Sequence, residues 1–137
     1  MVAWRPIYQD ENSIWAAKRG VYVKDARKEG IDLFDEALGI ATLILYEYYS
    51  PRKITYDHYG NVQRMTIELA KKRLRYIYTL AKRHGATGEA LKRIKRLIGF
   101  ILKNGYIPRR YARRARKAIY NARKLSKNII NKVFGIA

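Results

Sequence analysis

The sequence predicts an all-α protein, an antiparallel four-helix bundle preceded by an extended N-terminal arm. Apolar residues recur every three or four positions over residues 61–84, 87–103 and 108–134, the spacing of helices with one buried face. Residues 31–49 are apolar almost all round, as in a central helix. Mostly short connections containing glycine or proline separate these segments, and short connections make consecutive helices antiparallel.

Residues 1–30 form the predicted arm, and residues 31–137 form the predicted bundle with its nucleic-acid-facing helices. The arm mixes both signs of charge, and a short helix is expected near residues 13–19. Its large apolar side chains predict that it docks, either on the body of the same chain or on a neighbouring subunit, where it would contribute inter-subunit and wrapping contacts. The residues expected at a subunit interface are Trp4, Ile7, Tyr8, Trp15 and Tyr22.

The first predicted helix, residues 31–49, carries acids at its start. Asp32, Asp35 and Glu36 lie in the first turn and a half, where the helix dipole favours negative charge. Ser50 and the proline after it end the helix. A carboxylate cluster of a metal-dependent nuclease is the alternative interpretation of these acids, but their position at a helix start explains them more simply.

Residues 50–61 are expected to be a loop that leads into the second helix at 61–84. A β-hairpin over 54–66 is the alternative, because β-branched residues flank a Gly-Asn pair at residues 60 and 61. Gly85 ends the second helix, and the third helix is expected over about 87–103.

The fourth helix is expected to begin at Pro108, since proline suits a first helical turn, and to reach about Phe134. One side of this helix is an apolar seam rich in alanine, which lets another helix approach closely. That seam consists of Tyr111, Ala115, Ala118, Ala122, Leu125, Ile129 and Val133.

Charge is distributed very unevenly along the chain, whose net charge is +19. Residues 1–50 contain six basic and eight acidic residues, whereas residues 51–137 contain 24 basic and three acidic ones. After Glu89 there is no acid up to Ala137. Solvated helical faces usually pair Glu with Lys at four-residue spacing, and such pairs are almost absent here. The pattern therefore favours a polyanionic partner over an ordinary solvated surface.

Nucleic acid is the leading polyanion, because arginine binds phosphates through two parallel hydrogen bonds and lysine contributes a point charge. The sequence contains no zinc finger, leucine-zipper seam or RNA-recognition signature, so contacts to phosphate without base readout are expected. The cations expected to contact it are Arg64, Lys71, Lys72, Arg75, Lys82, Arg83, Lys92, Arg93, Lys95, Arg96, Arg109, Arg110, Arg113, Arg114, Arg116, Lys117, Arg123, Lys124 and Lys127.

Tyrosines accompany these cations and have two interpretations. They could stack on bases of a single strand, but tyrosine at helical spacing more often belongs to a core or an interface. The residues concerned are Tyr76, Tyr78, Tyr106, Tyr111 and Tyr120. An anionic membrane surface is a weaker alternative partner, because exposed Trp and Phe do not flank the basic helices. A membrane-spanning helix is not expected, since the longest uncharged run has ten residues and a span needs about 20.

Chemistry of its own is not expected of this chain. There is no cysteine, and no spaced set of partners surrounds His58 or His84, the two histidines, to make a metal or proton-transfer site. No nucleophile motif or phosphate-binding glycine loop is present. The sequence predicts a binding protein with no enzymatic activity, no cofactor, no metal and no small-molecule substrate.

The order of these parts resembles the major capsid proteins of filamentous and rod-shaped viruses of hyperthermophilic archaea. The resemblance covers the whole chain: an arm with Trp4 and Trp15, the apolar helix "LFDEALGIATLILYEYY", and basic helices ending in "RRYARRARKAIYNARKLSKNIINKVFG". It rests on architecture, size and composition, so no individual contact residue is carried over from the family. Few glutamines and many Ile, Lys, Arg and Tyr residues also suit a hot environment.

The resemblance implies a protein that wraps double-stranded DNA in A form, as a homodimer or with a paralogous coat protein, and stacks into a helical filament. It would then reside in the nucleocapsid of a virion, and in the host cytoplasm during assembly. Two other functions stay open on the sequence. One is a cellular nucleoid, chromatin or ribosome-associated protein, and the other is an adaptor whose basic face meets an acidic protein.

Overall fold

A computed structural model describes residues 20–57 and 61–136 of this chain. The protein is mostly helical, as predicted: in the described residues, five main helices and one four-residue helix pack together beside two small two-stranded sheets. The helices are α1 Ala26–Glu29, α2 Leu33–Tyr49, α3 Ile67–Arg83, α4 Gly88–Asn104, α5 Ala112–Lys117 and α6 Lys127–Val133. The strands are β1 Tyr22–Val23, β2 Ile54–Tyr56, β3 Val62–Arg64 and β4 Ile119–Tyr120. Single turns of 3-10 helix cover Arg109–Tyr111 and Ala122–Lys124.

Helix α2 is the centre of the core, which confirms the prediction of a heavily buried helix. It contacts α3, α4, α5 and α6, and every residue from Glu36 to Glu47 is buried. The side chain of Asp32 caps its first turn by accepting a hydrogen bond from the backbone N–H of Asp35 at 2.7 Å. Because apolar side chains surround this helix, it can bury several faces at once.

The prediction of a loop and an early start for the second helix was wrong, because a β-hairpin forms here. Strands β2 and β3 pair antiparallel with Ile54 opposite Arg64 and Tyr56 opposite Val62. Helix α3 begins only after Thr66, whose hydroxyl accepts a hydrogen bond from the N–H of Leu69 at 3.1 Å. Strand pairing and this cap together replace the helical turns expected before residue 67.

A buried polar cluster fastens the hairpin to two helices. The guanidinium of Arg73 on α3 donates to the Thr55 hydroxyl and, at 2.9 Å, to the Tyr56 carbonyl. Thr55 in turn donates to the Glu47 carboxyl of α2 at 3.1 Å, and Arg73 Nη1 lies 3.8 Å from Glu47 Oε1. Burial raises the pKa of Glu47 to about 8, although Arg73 and the Thr55 hydroxyl act in the opposite direction.

This pKa predicts that the protein loses stability as pH rises through neutrality. The folded Glu47 carboxyl keeps its proton up to about pH 8, whereas its ordinary pKa is 4.5. Unfolding therefore releases a proton between these values, and the free energy of unfolding falls by at most about 1.4 kcal/mol per pH unit. We expect Glu47→Gln to remove this component, as measured by urea unfolding between about pH 5 and 8. An unchanged slope in Glu47→Gln would show that other groups cause it.

The prediction of one continuous fourth helix was also wrong. Helix α5 ends at Lys117, and Asn121 has a φ of 56°, a left-handed conformation that interrupts any helix. Strand β4 pairs antiparallel with β1 across this break, and the Asn121 side chain donates to the Gly20 carbonyl at 3.0 Å. Pairing with a distant segment thus overrides the strong local helix propensity of residues 112–124.

Within the predicted arm, residues 20–30 include side chains that pack in the hydrophobic core and a strand that pairs with β4. Val21, Val23 and Ala26 are buried, and Val23 packs so closely on α2 that a Cβ at Gly39 would lie only 3.2 Å from its nearest atom. The predicted helix near 13–19 and the interface residues of the arm other than Tyr22 lie outside the described residues. Within the described ranges, no helix is both long enough and apolar enough to cross a membrane.

Candidate nucleic-acid interface

Most of the predicted contact cations are exposed, as their spacing along the helices indicated. The exposed ones are Arg64, Lys72, Arg75, Lys82, Arg83, Lys92, Lys95, Arg96, Arg109, Arg110, Arg113, Arg116, Lys117, Arg123, Lys124 and Lys127. Lys71, Arg93 and Arg114 are half-buried. The structure distributes these cations over α3, α4 and the segment from residue 109 to residue 127, with Arg64 on β3.

Helices α3 and α4 pack against each other and form the first part of this surface. A shallow open groove of about 290 Å³ lies between them, lined by Arg75 and Tyr78 of α3 and by Lys95 and Ile98 of α4. Two cations from different helices thus share one depression with an apolar floor. Such a groove can receive a phosphate between the cations and hold an apolar sugar edge below it.

A second cleft, of about 250 Å³, lies on the other side of α4, between this helix and the turn at residues 108–111. Arg93, Arg96 and Arg110 line it, and its remaining walls are Leu97, Phe100, Pro108 and Tyr111. The Arg110 guanidinium lies 4.7 Å from the centre of the Tyr111 ring, and that of Arg93 lies 4.2 Å from the centre of the Phe34 ring. Stacking on aromatic faces holds both guanidinium groups in place while their charge stays available.

Arg114 differs from the other predicted contact residues, because α2 neutralises it. Its Nε lies 2.8 Å from Asp35 Oδ1, and its Nη2 lies 3.6 Å from Asp32 Oδ2. Burial and the neighbouring Asp32 carboxylate raise the pKa of Asp35, while Arg114 acts to lower it. Arg114 therefore joins α5 to the start of α2, and its charge is not free for a ligand.

The acids of α2 have structural partners in place of a metal. Asp32 caps the helix and Asp35 pairs with Arg114, while Glu36 is buried and accepts a hydrogen bond from the backbone N–H of Ala26 at 3.0 Å. In the described part of the chain, no group of three or more His, Asp or Glu side chains is arranged to hold a metal ion. His84 Nδ1 lies 2.9 Å from Arg27 Nη2, and His58 lies outside the described residues.

The tyrosines of the basic segments divide between the core and the surface. Tyr76, Tyr78 and Tyr111 are half-buried and pack against the hydrophobic core. Tyr120 is 45% exposed, and its ring stacks on that of Tyr22 at 4.8 Å between ring centres. Tyr22, predicted at a subunit interface, thus lies in a strand paired within its own chain.

The prediction from helical spacing left out some residues of this surface. Lys103 is exposed on α4, seven positions after Arg96, so helical periodicity alone places it beside the predicted cations. Phe100 and Pro108 line the arginine cleft, but nothing in their sequence neighbourhood marks them, because the cleft forms only when residue 108 packs against α4.

Comparison of this chain with protein-family models, with curated proteins and with solved structures gives no match. What this surface can bind is therefore inferred from its side chains and their arrangement. Exposed arginine and lysine side chains on three consecutive segments can bind phosphate groups by charge and by hydrogen bonds, without reading base sequence.

Proposed function

We propose that this protein binds double-stranded DNA through the basic surface of α3, α4 and residues 109–127, independently of base sequence. The proposal rests on one observation: most cations of this surface have no neighbouring carboxylate to neutralise them. Within residues 20–57 and 61–136, the cations that lie beside a carboxyl group are Arg73, Lys92 and Arg114. The pair of Lys92 with Glu89, at 3.8 Å, is highly exposed, so it contributes little.

Binding a duplex would relieve the electrostatic repulsion between neighbouring cations on this surface. Like charges one helical turn apart destabilise a helix by a few tenths of a kcal/mol each, and α3 and α4 carry several such neighbours. Phosphates placed between them reverse the sign of these interactions and release the counterions condensed on the DNA. The long, exposed side chains need no fixed register, which suits a partner recognised by its backbone.

The larger role we propose is that of a major capsid protein that wraps DNA, in A form, inside a helical filament. The antiparallel bundle would present its basic faces to the duplex, and the near-neutral N-terminal part would make contacts between subunits, alone or with a paralogous coat protein. Contacts that join unlike surfaces and do not close into a ring generate an open helical polymer. In this role the protein would reside in the nucleocapsid of a virion and in host cytoplasm during assembly.

Salt-dependent binding and electron microscopy test these two proposals separately. With six to ten phosphate contacts, we expect affinity for a mixed-sequence duplex to fall by about 10³ to 10⁵ between 50 and 200 mM salt. Affinity that does not change with salt, or no binding at all, would contradict the nucleic-acid proposal and favour the acidic-protein adaptor. Protein mixed with plasmid DNA should form rods of uniform diameter; irregular beads or bridges would refute the capsid role and favour a nucleoid protein.

A further inference from the structure

Gly99 lies near the middle of the 17-residue helix α4 and is exposed to solvent. A glycine in a helix interior costs about 1 kcal/mol relative to alanine. Apart from the adjacent residues and the backbone of α4 itself, no atom of the described structure lies within 4 Å of the position that a Cβ at Gly99 would occupy. Neither close packing nor an unusual turn therefore requires glycine at this position.

The row of residues that contains Gly99 is otherwise cationic. Between Lys92 and Lys103, the exposed residues of α4 are Lys92, Lys95, Arg96, Gly99 and Lys103. Positions three or four apart lie side by side on a helix, so Lys95, Arg96 and Lys103 are one turn away from Gly99. The glycine is a gap in a row of long basic side chains. At this gap, no side chain covers the backbone of α4.

The two depressions described above lie on either side of this gap. Ile98, the residue before Gly99, lines the groove that contains Arg75. Phe100, the residue after it, lines the cleft that contains Arg110. Cations from α3 and from the 3-10 turn thus flank the bare stretch of α4 on opposite sides.

We propose that α4 at Gly99 is the point of closest approach for the sugar–phosphate backbone of one DNA strand. This inference rests on the proposed DNA binding and adds its contact point. Glycine is used where a ligand comes close to the main chain, and here the missing side chain lets phosphates reach the level of the Lys95, Arg96 and Lys103 stems. A protein helix crossing at Gly99 would instead bury these charges without partners, so charge complementarity favours phosphate.

The test compares Gly99→Ala and Gly99→Leu with Thr79→Leu as the matched control. Thr79 is exposed in the middle of α3 with Arg75, Lys82 and Arg83 one turn away, but it already carries a side chain. Each variant is measured for thermal unfolding and for binding to one mixed-sequence DNA duplex. The salt dependence of that binding is recorded for each variant and for the wild type.

We expect Gly99→Ala to raise the melting temperature by about 3 to 6 °C, because alanine favours the helix and meets no neighbour. Gly99→Leu should stay folded but bind about tenfold more weakly at 0.1 M salt, the effect of one lost phosphate contact. Thr79→Leu should change binding less than about twofold, because no contact is lost there.

Four results would overturn the proposal. A lower melting temperature for Gly99→Ala would show that the fold itself needs the glycine. Unchanged binding by folded Gly99→Leu would contradict the close approach of DNA at Gly99 but not the proposal that the protein binds DNA. Equal losses in Gly99→Leu and Thr79→Leu would mean that bulk anywhere on the basic surface interferes. If the wild-type protein does not bind the duplex, DNA binding fails first and the contact point fails with it.

Discussion

Reversing the charges of Arg113, Lys117 and Lys124 to glutamate is expected to abolish duplex binding without changing helix content. All three side chains are exposed, and none has an ion-pair partner within the described ranges. Losing three phosphate contacts weakens binding about a thousandfold at 0.1 M salt, and the new carboxylates add repulsion. Binding is measured by titration of a fluorescent duplex, and helix content by circular dichroism.

The matched control reverses Lys28, Arg52 and Lys132, which changes the net charge by the same amount. These residues are exposed and none belongs to α3, α4 or residues 109–127, so we expect the control to retain most of its affinity. Equal losses in both triple variants would mean that overall charge drives binding and that no particular surface is used. A loss of helicity in the first variant would instead assign its residues to the fold.

Replacing Arg73 with alanine is expected to destabilise the fold by about 3 to 5 kcal/mol, because two buried hydrogen bonds from a charged group are lost together and each contributes about 1.5 to 3 kcal/mol. Arg73 is 4% exposed, and its loss removes the hydrogen bonds to the Thr55 hydroxyl and the Tyr56 carbonyl and creates a cavity beside Glu47. Urea unfolding gives the change in stability. Hydrogen exchange should show β2 and β3 opening first.

Arg75→Ala is the control for this variant, because the same substitution two residues away removes an exposed side chain. Its stability should change by less than about 0.5 kcal/mol, while duplex binding should weaken about tenfold. Arg73→Ala should bind DNA normally under conditions where it is folded. Comparable destabilisation by both substitutions would contradict the assignment of Arg73 to the core.

The buried and exposed faces of the chain were largely predictable from sequence, because periodicity reports burial directly. Apolar residues surround α2 in the sequence, and the structure buries that helix. Ala115, Ala118, Leu125 and Val133 of the predicted seam are buried as well, even though the helix expected to carry them is broken. An apolar residue is therefore buried even where the helix that was expected to carry it is interrupted.

The connections and partnerships were less predictable, because distant residues decide them. The hairpin had a local signal in its β-branched residues, but a helical spacing of apolar residues from Val62 onward competed with it. The bonds from Arg73 to Thr55 and Tyr56 favour the strands, and no short window of sequence contains both ends of these bonds. The pairing of Arg114 with Asp35 is equally invisible, since helical periodicity gives the exposure of a cation but not the acid that neutralises it.

The ladder between β1 and β4 has a consequence for the order in which the chain folds. It pairs Tyr22 with Tyr120 and Val23 with Ile119, close to 100 positions apart, so closing it carries a large loop entropy unless the intervening helices have already formed. A ribosome releases β1 long before it makes β4. Until Ile119 emerges, Val21 and Val23 lack part of their final environment. We expect this ladder to form in the last step of folding, so the rate of that step should depend little on the stability of the hairpin.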